Sequence, residues 1–313
     1  MTRRQRLLAA LRRPLLYDGS KGVYLSPALP AMGRSPSDVS EWLNLLSPEV
    51  VRQMHREYVD AGSQIIQTNT FNGNRLRLEA YGLGERVHEV NVAAACLARE
   101  AAGDDVWVAG VIGPSGKLLA MGEVDEQALV DAFSEQAAAL AEGGVDLFHV
   151  ETMTDLAEAR AAVEGVRLVS DRPLLLTMSF DTGKPEALRT MMGVAPAQLV
   201  QAAEEMGIFG LGANCGRGPD GYQGVVRALV QARPAGVLVA KLNAGIPRME
   251  GGRVVYDGTP QSMAAYALWC AENGVGIIGG CCGTTPRHIE AMARAIAGIT
   301  GSRSPAGKGP QTT

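Results

Sequence analysis

The stretch VDLFHVETMTDLAEARAAVEGVRLVS, Val145 to Ser170, decides the fold. It opens with an apolar run, 145–150, that shows little alternation, as a strand covered on both faces requires. The run stops at polar Glu151-Thr152, and a helical pattern follows over 156–170. This strand-then-helix unit recurs along the chain. Apolar runs lie at 15–17, 64–68, 106–112, 145–150, 173–180, 208–213, 236–242 and 275–279. Helical patterns lie at 48–61, 84–102, 126–143, 156–170, 196–206, 222–232, 259–273 and 286–297. Ser47 before Pro48 and Thr285 before Pro286 are good helix starts. Eight units in series predict an α/β fold, a single-domain (β/α)8 barrel over residues 1–300. The rival is an open doubly wound sheet, which usually carries a Gly-rich nucleotide loop after its first strand. Here that strand runs into Asp18-Gly19-Ser20-Lys21-Gly22, which is not such a loop. The long first connection, 19–47, holds Pro27, Pro30 and Pro36 and is expected to fold over the barrel mouth.

Bulk properties narrow the class. The chain has 313 residues, ordinary for one such barrel, and is 46% hydrophobic but only 5% aromatic, so an aliphatic core is expected. A net charge of −4 does not favour nucleic acid. Five cysteines in so long a chain do not make a disulfide framework, which fits a reducing cytoplasm. No apolar run is long enough to span a bilayer, so no membrane partner is expected. The basic start, 3–13, is a short helix feeding the first strand, with a transit peptide as the alternative. Residues 301–313, rich in Gly, Ser, Pro and Lys, are expected to form a disordered tail.

Barrel enzymes carry their chemistry at the C-terminal ends of the strands. Here those ends read Asp18, then Asn69-Thr70-Phe71, Gly113-Pro114-Ser115, Glu151-Thr152, Ser179-Phe180-Asp181, Asn214-Cys215, Asn243-Ala244-Gly245 and Cys281-Cys282. Cys215, Cys281 and Cys282 are flanked by glycines and lie on neighbouring strands six and eight. Three thiolates there could bind Zn2+ and leave a fourth position open. A vicinal disulfide between Cys281 and Cys282 is the alternative. Cys96 and Cys270 fall within helical patterns and read as small buried hydrophobes. Zinc held by three thiolates is a poor generator of hydroxide, but it suits a substrate thiol kept deprotonated for alkyl transfer to sulfur. Asp18 and Glu151 could hold a substrate ammonium group. Thr154 or Asp155 serves better than Glu151 as cap for the following helix. The backbone from Gly19 through Ser20 to Gly22 could cradle a carboxylate, and Thr70 is a further candidate contact. These pockets describe an amino-acid thiol. His149 and His288 read as packing residues, and the methionines, Met191-Met192 among them, as core filler.

These motifs resemble the homocysteine S-methyltransferase family. The similar segments are 45–62, Gln67-Thr68-Asn69-Thr70-Phe71, Glu151-Thr152-Met153, Asn214 to Asp220, Asn243-Ala244-Gly245-Ile246-Pro247 and Gly279 to Pro286. They match best the homocysteine-binding module of cobalamin-dependent methionine synthase, from about residue 15 to 297. The resemblance implies zinc on Cys215, Cys281 and Cys282, amino-group recognition by Asp18 and Glu151, and Asn243 near the open zinc position. Thr152, where a betaine-dependent branch has Tyr, points to the methionine-synthase branch. Two departures bear on the acceptor: Lys21 where the family often has Met, and Lys241-Leu242 where a Pro commonly precedes the Asn. The folate and cobalamin modules have no counterpart in these residues. The expected reaction is methyl transfer to homocysteine, giving methionine, with methylcobalamin on a partner corrinoid protein as donor. The alternatives are S-methylmethionine or betaine as donor, another thiol as acceptor in a demethylation system, or a zinc-dependent module that docks on a corrinoid protein without turnover.

Overall fold

In the computed structural model, residues 1–184, 187–216, 218–250 and 253–302 are described. Eight parallel strands form the barrel: β1 (Leu15–Leu16), β2 (Ile65–Gln67), β3 (Trp107–Ile112), β4 (Leu147–Met153), β5 (Leu174–Met178), β6 (Gly210–Cys215), β7 (Val237–Leu242) and β8 (Ile277–Gly280). Each pairs with its neighbours in the order β1-β8-β7-β6-β5-β4-β3-β2. Tyr17 bridges to Ile65, and Gln64 N donates to Leu16 O at 2.7 Å, so β1 meets β2 and the barrel closes.

The helices follow the strands. They are α1 (Pro48–Asp60), α2 (Val87–Ala102), α3 (Glu126–Glu142), α4 (Leu156–Val169), α5 (Pro196–Glu205), α6 (Gly218–Gln231), α7 (Pro260–Glu272) and α8 (Pro286–Ser302). Asp155 caps α4 by accepting from Ala157 N, which leaves Glu151 free for other work. Ser47 precedes α1 without a side-chain cap bond. The first connection folds into four short helical turns, Gly22–Leu25, Ser26–Met32, Ser40–Trp42 and Leu43–Leu46. A small hairpin, Arg248–Glu250 with Arg253–Val255, follows β7 and had no clear signal in the sequence. The expected tail begins inside α8, and residues 303–313 lie outside the described ones, as does Arg217 of the Asn-Cys segment.

Strand alternation sets the interior. Leu15, Tyr17, Ile65, Ala109, Leu147, Leu175, Phe209, Val239 and Ile277 form one apolar cluster, which Leu7 of the N-terminal helix (Arg3–Ala10) joins. Two residues further along the strands the same face turns polar: Ile65 gives way to Gln67, Leu147 to His149 and Glu151, Leu175 to Thr177, Val239 to Lys241. All of these are buried. The alternate residues, such as Leu16, Ile66, Phe148, Leu176, Ala240 and Ile278, belong to the larger cluster shared with the helices. Cys270 is buried as expected, but Cys96 is exposed. Met191 and Met192 are not core residues; they stand out at 62% and 40% exposure.

Close strand packing leaves some positions no room for a side chain. A Cβ on Gly212 would lie 1.8 Å from Val239 O on β7, and that backbone cannot yield without parting two strands. Gly212→Ala is expected to destabilise the barrel by about 1–3 kcal/mol or more. Gly298→Ala, where an added Cβ meets nothing within 4 Å, should be neutral or slightly stabilising. Urea denaturation midpoints of both variants check this.

Candidate active site

Two turns carry the cysteines, and both lean on β7. Cys215 pairs with Leu242 across β6–β7, and Gly280 pairs with the same Leu242 across β8–β7. The residues just beyond β7 therefore sit between the two turns. Asn243 uses its amide there: Oδ1 accepts from Cys282 N at 3.0 Å, and Nδ2 donates to Gly216 O at 3.2 Å. Ala244 N adds a bond to Cys282 O at 2.9 Å. Cys281 N donates to Leu242 O at 2.8 Å, and Thr284 Oγ1 donates to Cys281 O at 2.6 Å.

A second amide sits below. Asn214, fully buried, accepts from Thr152 N at 2.9 Å and from Thr177 Oγ1 at 2.6 Å. Its Nδ2 donates to Thr152 Oγ1 at 2.7 Å and points to Cys281 Sγ at 3.6 Å. This network holds two residues in a backbone region that L side chains rarely adopt, Thr152 at φ 62° and Cys215 at φ 63°.

The three sulfurs converge as a result. Cys215 Sγ lies 3.5 Å from Cys281 Sγ and 3.5 Å from Cys282 Sγ, and all three fall within 4.8 Å of one another. Tetrahedral zinc with bonds of about 2.3 Å needs ligand sulfurs about 3.8 Å apart, so the triad fits such an ion with small adjustment. Electrostatics agree. Hydrogen bonds from Cys215 and Cys282 hold the Cys281 thiol well below the ordinary range, helped by Lys241 and Asn214, while the same contact pushes Cys215 far up. Three adjacent thiolates would need a cation among them, and a divalent ion could supply it.

A cavity of about 220 Å³ opens beside the sulfurs. Gly19, Ser20, Lys21, Thr70, Glu151, Lys241 and the three cysteines are on its wall. Of the expected substrate contacts, Gly19, Ser20, Thr70 and Glu151 reach this wall. Asp18 and Asn243 do not: Asp18 is fully buried, and Asn243 is committed to the cysteine turns. Thr70 is also engaged, donating to Val111 O at 2.8 Å and sharing a proton with Thr68 at 2.6 Å. Ser20 N already donates to Thr284 Oγ1 at 3.1 Å, so the expected anion cradle has lost one donor. A Cβ on Gly19 would meet Thr284 Oγ1 at 2.6 Å and Tyr58 OH at 2.9 Å, which is why the first turn can lie so close to the turn after β8 and to α1.

The carboxylates have partners that the sequence reading did not assign. Lys21 Nζ donates to Asp18 Oδ2, and Gln67 N donates to the same oxygen at 3.0 Å. Lys241 Nζ donates to Glu151 Oε2 at 2.8 Å and to Gln67 Oε1, and lies 4.2 Å from the centre of the Tyr17 ring. Burial raises the pKa of both Asp18 and Glu151, against the pull of their lysines. Burial lowers that of Lys21 despite Asp18. Burial also works against the Lys241 charge, but Glu151, Cys281 and Asp18 together outweigh it and raise its pKa. His149 bridges Tyr17 OH at 3.1 Å and Thr177 Oγ1 at 2.9 Å, and burial holds its pKa well down, so it serves as a neutral interior link. His288 bonds Thr285 and Gly258 O and is structural. The sequence did carry a signal for one of the lysines, Lys241. A lysine inside an apolar strand covered on both faces must find a buried anion.

A parallel eight-stranded barrel with a three-cysteine cluster on its C-terminal rim defines a class of barrel proteins equipped with a candidate metal site. The chain matches the model for "Homocysteine S-methyltransferase" over residues 15–296 and belongs to that family. Curated relatives include the methionine synthases of Mycobacterium tuberculosis (strain ATCC 25618 / H37Rv), 32% identical over 304 residues, and of Mycobacterium leprae (strain TN), 31% identical over 311 residues. These alignments cover 92% and 95% of this chain but 25% of each relative, so the chain spans about a quarter of their length. Among solved structures, the metallated homocysteine methyltransferase MmuM from Escherichia coli superposes with a TM-score of 0.74 at 24% identity, covering 93% of this chain and 99% of that one. A methyltransferase from Methanosarcina mazei gives 0.61 at 14% identity, covering 96% and 99%. At these identities the two likenesses establish the fold.

Asn214→Ala would strip Cys281, Thr152 and Thr177 of a shared partner. It is expected to weaken metal affinity about 10- to 100-fold while the far-ultraviolet circular dichroism stays unchanged. Competition with a chromophoric chelator measures it.

Proposed function

We propose that this chain is a zinc-dependent S-methyltransferase that moves a methyl group to the thiol of a small acceptor of the homocysteine type, giving methionine where homocysteine itself is the acceptor. The observation that carries this reading is the sulfur triad, with spacings of 3.5 Å, on the wall of a 220 Å³ cavity at the barrel rim. Cys215, Cys281 and Cys282 would hold the ion. Bound there, zinc would lower the pKa of an incoming thiol and keep its sulfur nucleophilic near neutral pH.

The protein's own groups supply orientation. Asn243 and Asn214 fix the two cysteine turns, so the three sulfurs together face the cavity. The walls at Gly19, Ser20, Thr70 and Glu151 position the rest of the acceptor. The acceptor loses its thiol proton to solvent. Its sulfur then forms the bond to the methyl carbon, while the donor–methyl bond breaks and leaves its electron pair on the donor. No general base is required once the thiol is ionised, and alignment of the two partners supplies much of the rate.

For the donor, we favour methylcobalamin carried by a partner corrinoid protein. A groove of about 710 Å³, bordered by Val23, Pro27, Pro30, Pro36, Val254 and Tyr256, runs up to Cys282. It is much larger than the acceptor cavity and mostly apolar, which suits a bulky donor face better than S-methylmethionine or betaine. Activity with either small donor in the absence of any corrinoid would reverse that preference. We place the protein in the cytoplasm, where its thiols stay reduced.

Purified, reduced protein is expected to carry one zinc per chain with three sulfur ligands by X-ray absorption, rising to four at saturating homocysteine. Cys215→Ala should lose the metal and methyl transfer together. A folded, zinc-free wild type, or Cys215→Ala with undiminished transfer, would remove the mechanism.

A further inference from the structure

The positions that should receive an amino group are already filled. Asp18 and Glu151 are the two carboxylates able to grip an acceptor's ammonium, and each is bound to a lysine of the chain itself. Lys21 also donates to Gly19 O at 3.2 Å, and Lys241 to Gln67. Glu151 Oε1 takes a further contact from Gln67 Nε2 at 3.4 Å, so both of its oxygens are engaged. One acceptor atom is left over, Asp18 Oδ1, which has no partner. It belongs to a residue with 0% exposure that is absent from the cavity wall, whereas Lys21 is on that wall.

The consequence is electrostatic. The formally charged groups on the wall, besides the cysteines, are Lys21, Lys241 and Glu151. An incoming ammonium would meet Lys21 before it met Asp18, and would have to share Glu151 with Lys241. Like charges this close in a water-poor site repel strongly. A carboxylate, by contrast, would face two ammonium groups. We infer that Lys21 and Lys241 stand in for the acceptor's amino group, so that the thiol this cavity selects has an acidic end but no ammonium: a mercaptocarboxylate in place of an amino-acid thiol. This rests on the zinc–thiol reading above and changes only which thiol is methylated.

The probe is 4-mercaptobutyrate, which is homocysteine without its amino group. Zinc-loaded protein is titrated calorimetrically with each thiol, and the sulfur count at zinc is followed by X-ray absorption. We expect 4-mercaptobutyrate to bind tighter by about tenfold or more, the scale of one charge-assisted contact. Lys21→Met, which uncovers Asp18, should narrow or invert that ratio, and Lys241→Gln, which frees Glu151, should do the same. If neither variant folds, the wild-type ratio still decides. Homocysteine binding as tightly as 4-mercaptobutyrate in the wild type, with four sulfurs at zinc, overturns the inference and leaves the methyltransferase reading standing. Three sulfurs at zinc with both thiols overturns that reading, and the inference with it.

Discussion

Closure of the parallel ladder is the constraint on which the rest depends. Once β1 bridges to β2, no strand has a free edge, and the register of all eight is fixed at once. Side chains alternate with a period of two, so a slip of one residue would exchange the inner and outer sets. The inner set begins apolar with Ile65, Leu147, Leu175 and Val239, and becomes polar with Gln67, His149, Thr177 and Lys241. The barrel is thus sealed below and chemically equipped above by the same strands. Convergence of the cysteines follows from that register. Cys215 and Cys281 lie far apart in the chain, yet both of their strands pair with β7, at Leu242 in each case.

The interior of the mouth poses a charge problem that the protein answers in two places. At the rim, three thiols within hydrogen-bonding distance cannot all ionise without a cation. One step inward, two carboxylates and two ammonium groups are buried together. Taking any of these four alone out of water would cost several kcal/mol. Pairing offsets much of that, and Gln67 links the pairs by contacting both carboxylates and Lys241. Such an arrangement is weak evidence for stability, since well-packed apolar residues would do as well. Its place on the wall of the cavity is stronger evidence for recognition.

Most of the fold was legible in the sequence, because each strand is a short apolar run followed by a helical pattern. All eight strands and eight helices fall close to where the pattern puts them. β4 differs by running through Glu151 to Met153, beyond its apolar run. The ladder there shifts register between Val150 and Met153, and Thr152 takes a positive φ secured by Asn214, a contact between residues 62 apart. The hairpin after β7 is short and exposed, so it leaves no apolar pattern to find. In the site, the cysteines stood out because glycines flank them at strand ends. The supporting amides did not, because an Asn at a strand end does not reveal whether it faces substrate or backbone. Asn243 faces backbone. Asp18 was read as a substrate contact from its place on the rim. Whether it points into the cavity or lies behind Lys21 depends on a turn conformation that spacing does not encode.

The two halves of the site are built on separate supports. Asn214, Asn243 and Thr284 hold the sulfurs through backbone and side-chain bonds that do not involve Lys21, Glu151 or Asp18. The ion pairs are held by Gln67, Tyr17 and the first turn. The halves meet at Thr284, which bonds Cys281 O and accepts from Ser20 N of the first turn, at Gly280, whose N donates to Asp18 O at 3.1 Å, and at Lys241. The Lys241 backbone lies in the β7 ladder, between the two cysteine strands, while its ammonium reaches across the barrel to Glu151. On the proposed zinc–thiol reading, changes at the ion pairs would alter which molecule enters more than they would move the three sulfurs. Where one fold hosts many functions, family membership speaks to the kind of chemistry a site carries more firmly than to the molecule it acts on.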